Sequence, residues 1–165
     1  MNESADLVKV RMESFLVVGT EARTTNNREM SGQGAIGALW GQLAKEALLE
    51  RIPSRVDDRI IALYSDYQNG KGGEYSYLLG AKVRPATHVP DGMASRQIGA
   101  GEYALFTAKG RPAAEMVIGI WKEIWLLEAA KKIERAYKTD FEVYYNGLGA
   151  KPPNTLVDVY VGLRL

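Results

Sequence analysis

Hydrophobic and polar positions first alternate over Leu7 to Val18, a stretch rich in Val, Leu and Phe that predicts a strand near Val8–Val18. The polar run Thr24-Thr25-Asn26-Asn27 ends it, and Ser31, Gly32 and Gly34 make a flexible approach to a helix. Ile36, Leu39, Trp40, Leu43, Ala47 and Leu48 then recur at helical spacing. They predict an amphipathic helix over Ala35–Glu50 that Pro53 stops. Two strands follow: Arg59–Tyr67, closed by Gln68-Asn69-Gly70, and Glu74–Val83. Arg84–Gly92 holds two prolines and a turn signal and reads as a linker. Met93–Ala108 predicts a strand pair or one long bent strand, with Gly99 and Gly101 at the bend. Pro112 stands where a first helical turn accepts it. Ala113–Tyr137 predicts a long helix with Val117, Ile120, Trp121, Ile124, Leu127 and Ile133 as its buried stripe. Asp140–Tyr145 and Leu156–Leu165 are the last strands, separated by a turn over Gly147–Asn154 with Pro152 and Pro153.

The order is β-α-β-β, linker, β-α-β-β, and the halves match in detail. Leu39-Trp40-Gly41-Gln42-Leu43 lines up with Ile120-Trp121-Lys122-Glu123-Ile124, and Tyr67-Gln68-Asn69-Gly70 with Tyr144-Tyr145-Asn146-Gly147. Leu79-Gly80-Ala81-Lys82-Val83 lines up with Val161-Gly162-Leu163-Arg164-Leu165. Three matches in the same order and at similar offsets argue for an internal duplication, with repeats over about 7–83 and 93–165 and a linker over 84–92. One β-α-β-β unit would leave a sheet face bare beneath a single helix. Pairing two joins the sheets and lays the helices side by side. The expectation is one α+β domain over 1–165: duplicated β-α-β-β halves with pseudo-two-fold symmetry, a joined antiparallel sheet, two long helices on one face and a central ligand cleft. The cleft could open on the other sheet face or along the axis between the halves.

Composition narrows the function. The 165 residues are 46% hydrophobic and 25% charged, with a net charge of +1, ordinary for a globular protein and too balanced for bulk affinity to nucleic acid. The absence of cysteine removes disulfides, thiolate nucleophiles and zinc-thiolate sites, and a single histidine, His88, removes any site that needs two imidazoles. No apolar run approaches the roughly 20 residues of a membrane span. The polar, acidic start Met1–Asp6 is unlike a signal peptide, so the expected location is cytoplasmic. No helix-turn-helix segment flanks the core, and contact with DNA would need another chain.

The chemistry gathers at Asp140-Phe141-Glu142-Val143-Tyr144-Tyr145. On a strand, Phe141, Val143 and Tyr145 share one face, and Glu142 and Tyr144 share the other. If both faces are covered, a carboxylate stands beside aromatic walls, which is the chemistry of a pocket for lipophilic cations. The plain alternative is a solvated glutamate on an ordinary strand.

The second half resembles a known family. Ile98-Gly99-Ala100-Gly101-Glu102-Tyr103-Ala104-Leu105-Phe106, a helix with Trp121 and Trp125, and Phe141-Glu142-Val143-Tyr144 are similar to the effector-binding family of gyrase-inhibitor-like proteins. That family includes the ligand domains of AraC-type and MerR-type multidrug regulators and stand-alone integron-cassette proteins, to which this chain is most similar. Tyr75-Ser76-Tyr77-Leu78-Leu79-Gly80 looks like the closing strand of the family's first half. The resemblance implies a cleft in which the glutamate of Phe-Glu-x-Tyr, here Glu142, meets cationic ligands among aromatics. By alternation Tyr144 stands beside it, and Tyr75 and Tyr77 share a face. Tyr160 on the last strand and Trp121 on the helix complete the ligand-binding set. One departure is Gly162, where many members carry a proline.

The implied partner is a cationic aromatic small molecule, with no direct nucleic-acid or membrane binding and no cofactor or metal. A homodimer or a separate partner protein stays open. Trp40 and Trp121 occupy equivalent helix positions and read equally as packing. His88 reads as a surface-loop residue, although the superfamily has a haem-binding branch. A non-catalytic binding protein is the leading expectation. The alternatives are a hydrolase of a reactive small molecule using Glu142, with Glu102 or Asp158 as second carboxylate, and a gyrase-inhibitor-like protein-binding module.

Overall fold

A computed structural model describes residues 7–164. Leu165 and the polar segment Met1–Asp6 lie outside the described residues. Eight strands, β1 (Val8–Met12), β2 (Phe15–Thr24), β3 (Ile60–Ser65), β4 (Tyr75–Val83), β5 (Ala94–Ile98), β6 (Gly101–Lys109), β7 (Arg135–Tyr144) and β8 (Leu156–Leu163), form one antiparallel sheet in the order β1-β6-β8-β7-β3-β4-β2-β5. The helices are α1 (Asn26–Met30), α2 (Ile36–Lys45), α3 (Leu48–Arg51) and α4 (Ala113–Ala129).

The first expected strand is two. Its hydrophobic run breaks at Glu13-Ser14, where the Ser14 hydroxyl donates to the Ile98 carbonyl at 2.8 Å, and the pieces go to opposite ends of the sheet. β1 pairs with β6, whereas β2 pairs with β4 and β5. The region 93–108 is likewise a pair, β5 and β6, joined through Gly99-Ala100. These short connections dictate the curvature. On a flat sheet the six strand steps from β1 to β2 would span about 29 Å at roughly 4.8 Å each. The three Cα steps from Met12 to Phe15 reach at most about 11 Å. The sheet must curl, and the Phe15 ring on β2 accordingly lies 5.5 Å from the Phe141 ring on β7. The concave side is packed by Val17, Leu63, Leu78, Ile98, Phe141 and Val143.

Both longer helices cover the opposite face. α4 sets Met116, Ile120 and Ile124 on Val157, Val159 and Val161, and α2 sets Leu39 and Leu43 on Ile60, Ala62 and Leu79. The α2 segment is shorter than its periodicity predicts. Ala47 turns left-handed (φ 49°), and α3 follows as a single turn that buries Leu48. The stretch before α2 contains the helix α1, capped by Thr25, whose hydroxyl accepts from the Arg28 amide at 3.1 Å.

The helix expected over Ala113–Tyr137 ends at Ala129. Lys131 takes a left-handed φ of 59°, Ile133 packs back under α4 from the turn, and the chain re-enters the sheet at Arg135 as β7. A register irregularity between Arg135 and Asp140 follows, with Tyr137 at φ 53°. β7 and β3 occupy the middle of the sheet, with Glu142 opposite Ala62 and Asp140 opposite Tyr64.

Candidate functional site

Antiparallel partners share a face, so the ladder decides what meets Glu142. Tyr64 pairs with Asp140 on one side and Tyr77 on the other, placing Tyr64, Tyr77, Glu142 and Tyr144 on the helix-bearing face. Above them, Trp40 comes from α2 and Trp121 from α4. Between the helices opens a cavity of about 780 Å³, with the 146–150 segment in its wall. Met30, Ile118 and Leu148, among its lining residues, are exposed apolar side chains.

Glu142 is 1% exposed. Its Oε2 accepts from the Tyr64 hydroxyl at 2.7 Å and from Trp121 Nε1 at 2.8 Å, and its Oε1 accepts from the Tyr144 hydroxyl at 2.6 Å. Burial raises the carboxyl above the usual glutamate range, while the three donors pull it back. The Tyr64, Tyr77 and Tyr144 hydroxyls stand well above the usual tyrosine value, first through burial and then through the Glu142 charge. Tyr64 lies within 5.1 Å of the Tyr77 ring, 5.2 Å of Trp121 and 5.4 Å of Tyr75, and Trp40 meets Tyr144 edge-on at 4.7 Å. Trp40 Nε1 donates to the Tyr77 hydroxyl at 2.8 Å. Glu29 is the other carboxylate in the wall. It is engaged by the Ala35 and Ile36 amides at 2.8 and 3.3 Å, as a cap for α2.

A second polar group shares the wall. Arg135, its side chain 3% exposed, pairs through Nη2 with Asp140 Oδ2 at 2.8 Å. The same carboxylate accepts from the Tyr67 hydroxyl at 2.5 Å and the Gly162 amide at 2.8 Å. The guanidinium lies over the rings of Tyr137 (4.3 Å), Trp121 (5.4 Å) and Tyr67 (5.8 Å). Burial works against its charge, but Asp140 and the neighbouring tyrosines outweigh that and raise its pKa. The Tyr137 hydroxyl donates to Glu128 at 2.6 Å, and burial with this bond moves it up to about 12.

Of the residues singled out in the sequence, Glu142, Tyr144, Tyr75, Tyr77 and Trp121 line the cavity. Tyr160 does not. It pairs with Phe141 and stacks on that ring at 4.5 Å and 10°, on the concave face, while Val159 stands opposite Glu142. Strand alternation alone could not assign Tyr160, because its face depends on the register with β7. Glu102 and Asp158 lie outside the cavity wall, and Asp158 accepts from Tyr145 and Thr107. Tyr64, Arg135, Tyr67 and Tyr137 escaped the sequence reading. Tyr64 sits in the unbroken apolar run Ile60-Ile61-Ala62-Leu63, and Arg135 and Tyr137 fell inside the overextended helix. Among the described residues, no cluster of His, Asp or Glu could hold a metal ion, and no helix is long and apolar enough to cross a membrane.

YobU of Bacillus subtilis, described as a candidate transcriptional regulator, is 35% identical over 149 residues, 88% of this chain and 90% of YobU. The transcriptional regulator BrlR of Pseudomonas aeruginosa is 35% identical over 128 residues, which are 76% of this chain and 45% of BrlR. An integron cassette protein of Vibrio cholerae shares the fold with a TM-score of 0.79 at 24% identity, over 96% of this chain and 95% of its own. SAV2435, solved with tetraphenylphosphonium bound, shares it with a TM-score of 0.73 at 14% identity, over 97% of this chain and 94% of its own. With residues 6–164 matched by the family's model, the chain belongs to the GyrI-like small molecule binding domain family.

Proposed function

We propose that the chain binds lipophilic cationic small molecules in the aromatic cavity, with Glu142 as the anionic partner and Tyr64, Tyr75, Tyr77, Tyr144 and Trp121 as its walls. The observation that carries this reading is a buried carboxylate with three hydrogen-bond donors and no ion-pair partner among the described residues, facing a cavity of about 780 Å³. A bound cation would supply the missing charge. Each ring face would add about 0.5–2 kcal/mol. That SAV2435, a protein of the same fold, is seen with a lipophilic cation supports the reading, and the regulator relatives support effector sensing in transcription control. We place the protein in the cytoplasm.

The test compares tetraphenylphosphonium with tetraphenylborate, which has the same shape and the opposite charge, by calorimetry on wild type and Glu142→Gln. The substitution should weaken the cation about tenfold to a hundredfold, the worth of a contact to a charged group at about 1.5–3 kcal/mol. Binding of the anion should hold or improve. Equal losses for both ions, or none for either, would remove Glu142 as the charge-selecting group.

A further inference from the structure

Two carboxylates line the cavity, and the fold sets them apart along β4. Glu29 is the second. Its Oε2 accepts from the Thr24 hydroxyl at 2.5 Å and the Ala35 amide at 2.8 Å, and its Oε1 accepts from the Ile36 amide at 3.3 Å. Gly34 leaves room for the group, since a Cβ there would lie 2.0 Å from the Glu29 carboxyl carbon. The side chain is thus held in place, yet it is half-buried and not sealed. The α2 N-terminus that it caps offsets about half a charge. Among the described residues, no cation forms an ion pair with it.

Register fixes which end of the cavity floor each carboxylate occupies. Thr24 pairs with Tyr75 across β2 and β4, so Glu29 sits at the Tyr75 end. Tyr64, which donates to Glu142, pairs with Tyr77 across β3 and β4, so Glu142 sits at the Tyr77 end. The hydroxyls sense the same order. After burial, Glu29 outweighs Glu142 in raising the pKa of Tyr75, and Glu142 outweighs Glu29 in raising that of Tyr77. Two residues of strand set the tyrosines about 7 Å apart. Rings floor the gap, with Tyr75 lying 5.4 Å from Tyr64 and 5.8 Å from Tyr67.

We propose that Glu29 is a second anionic contact and that the cavity takes dications, in which a flat aromatic spacer joins one positive centre at Glu142 to another at Glu29. The other charged residues of the lining leave this pair of anions unanswered: Arg135 is paired with Asp140, and Lys122 stands exposed on α4. The net charge of +1 supplies no overall field to draw a second positive charge, so any gain from one is local. The inference rests on the cation-binding reading of the cavity, which needs Glu142 alone.

Matched pairs of ions test it by calorimetry. Each pair is an aromatic bis(trimethylammonium) dication and the monocation in which tert-butyl, of the same shape, replaces one trimethylammonio group. One pair has a phenylene spacer and the other a biphenylene. Wild type should prefer the dication about tenfold with at least one spacer, the lower end of what a contact to a charged group is worth. In Glu29→Gln that preference should fall to near one. The wild-type comparison needs no variant and decides even if the altered cap of α2 weakens the fold. No preference for either dication in wild type, or a preference that survives Glu29→Gln, would overturn the role of Glu29. If the preference is absent while Glu142→Gln still weakens the monocations, only this inference falls. If tetraphenylphosphonium binds wild type no more tightly than tetraphenylborate, the cation reading falls and this one with it.

Discussion

The Trp121 indole donates its N–H to Glu142 at 2.8 Å while its ring centre lies 5.4 Å from the Arg135 guanidinium, so one side chain contacts both the buried carboxylate and the buried cation of the cavity wall. It is also buried against Ile120 and Ile124 in the α4 core. Trp121→Ala should therefore cost about 3–5 kcal/mol in urea unfolding. Trp40, at the matched position on α2, is only partly buried and should cost clearly less. Equal losses would mean that the two helices lean on their tryptophans alike.

Burial raises the Glu142 carboxyl, so the folded chain keeps a proton at a pH where the unfolded chain has released it. The resulting stability is fully present below the ordinary glutamate value near 4.3 and is lost as pH rises through the folded value. Glu142→Gln should flatten that dependence and hold its stability at neutral pH. A bound cation favours the carboxylate, so cation affinity should rise with pH across the same window, with proton uptake by buffer. Titrations in two buffers of different ionisation heat measure this, and a cation affinity indifferent to pH there would contradict it.

Asp140 is fully buried and holds Arg135, the Tyr67 hydroxyl and the Gly162 amide together. Asp140→Asn would leave the buried guanidinium with only the more distant Glu128, at 3.8 Å, as counter-charge. The expected loss is about 3–5 kcal/mol, read from the urea midpoint. A loss under about 1 kcal/mol would show that water reaches the guanidinium and replaces the carboxylate.

Gly19 and Gly80 face each other across β2 and β4. A Cβ at Gly80 would lie 1.9 Å from the Val18 carbonyl oxygen, and one at Gly19 would lie 2.1 Å from that of Leu79. Because both obstacles are backbone, Gly80→Ala should cost about 1–3 kcal/mol or more in thermal unfolding. A neutral result would mean that the two strands can separate locally.

Much of this was legible in the chain. Alternation alone put Glu142 and Tyr144 on one face and Phe141 and Val143 on the other, and the sheet registers agree. Helical spacing found Ile120, Trp121 and Ile124 on the inward side of α4 but not the buried Met116, and periodicity is blind to the single left-handed residue, Lys131, that ends the turn and delivers Arg135 to the sheet. Tyr64 illustrates another limit. In a strand buried on both faces every residue is apolar, so no alternation marks the one whose hydroxyl meets Glu142. Tyr160 shows a further limit: the resemblance grouped it with the ligand set, but its face depends on the register with β7, which pairs it with Phe141. The curl of the sheet had no local signal, since it follows from pairing β1 with β6 and β2 with β5 across about ninety residues.

That exchange of edges interlocks the two halves of the chain. β1 lends five paired residues to β6, and β5 lends five to β2, so neither half completes its own border. Swinging the halves apart about residues 84–93 would tear both ladders at once. Any widening of the cavity would then involve the helices and the 146–150 segment that line it, not a parting of the sheet. The same interlock makes folding wait for distant segments to meet, and slow acquisition of structure is the kinetic signature expected of such a topology.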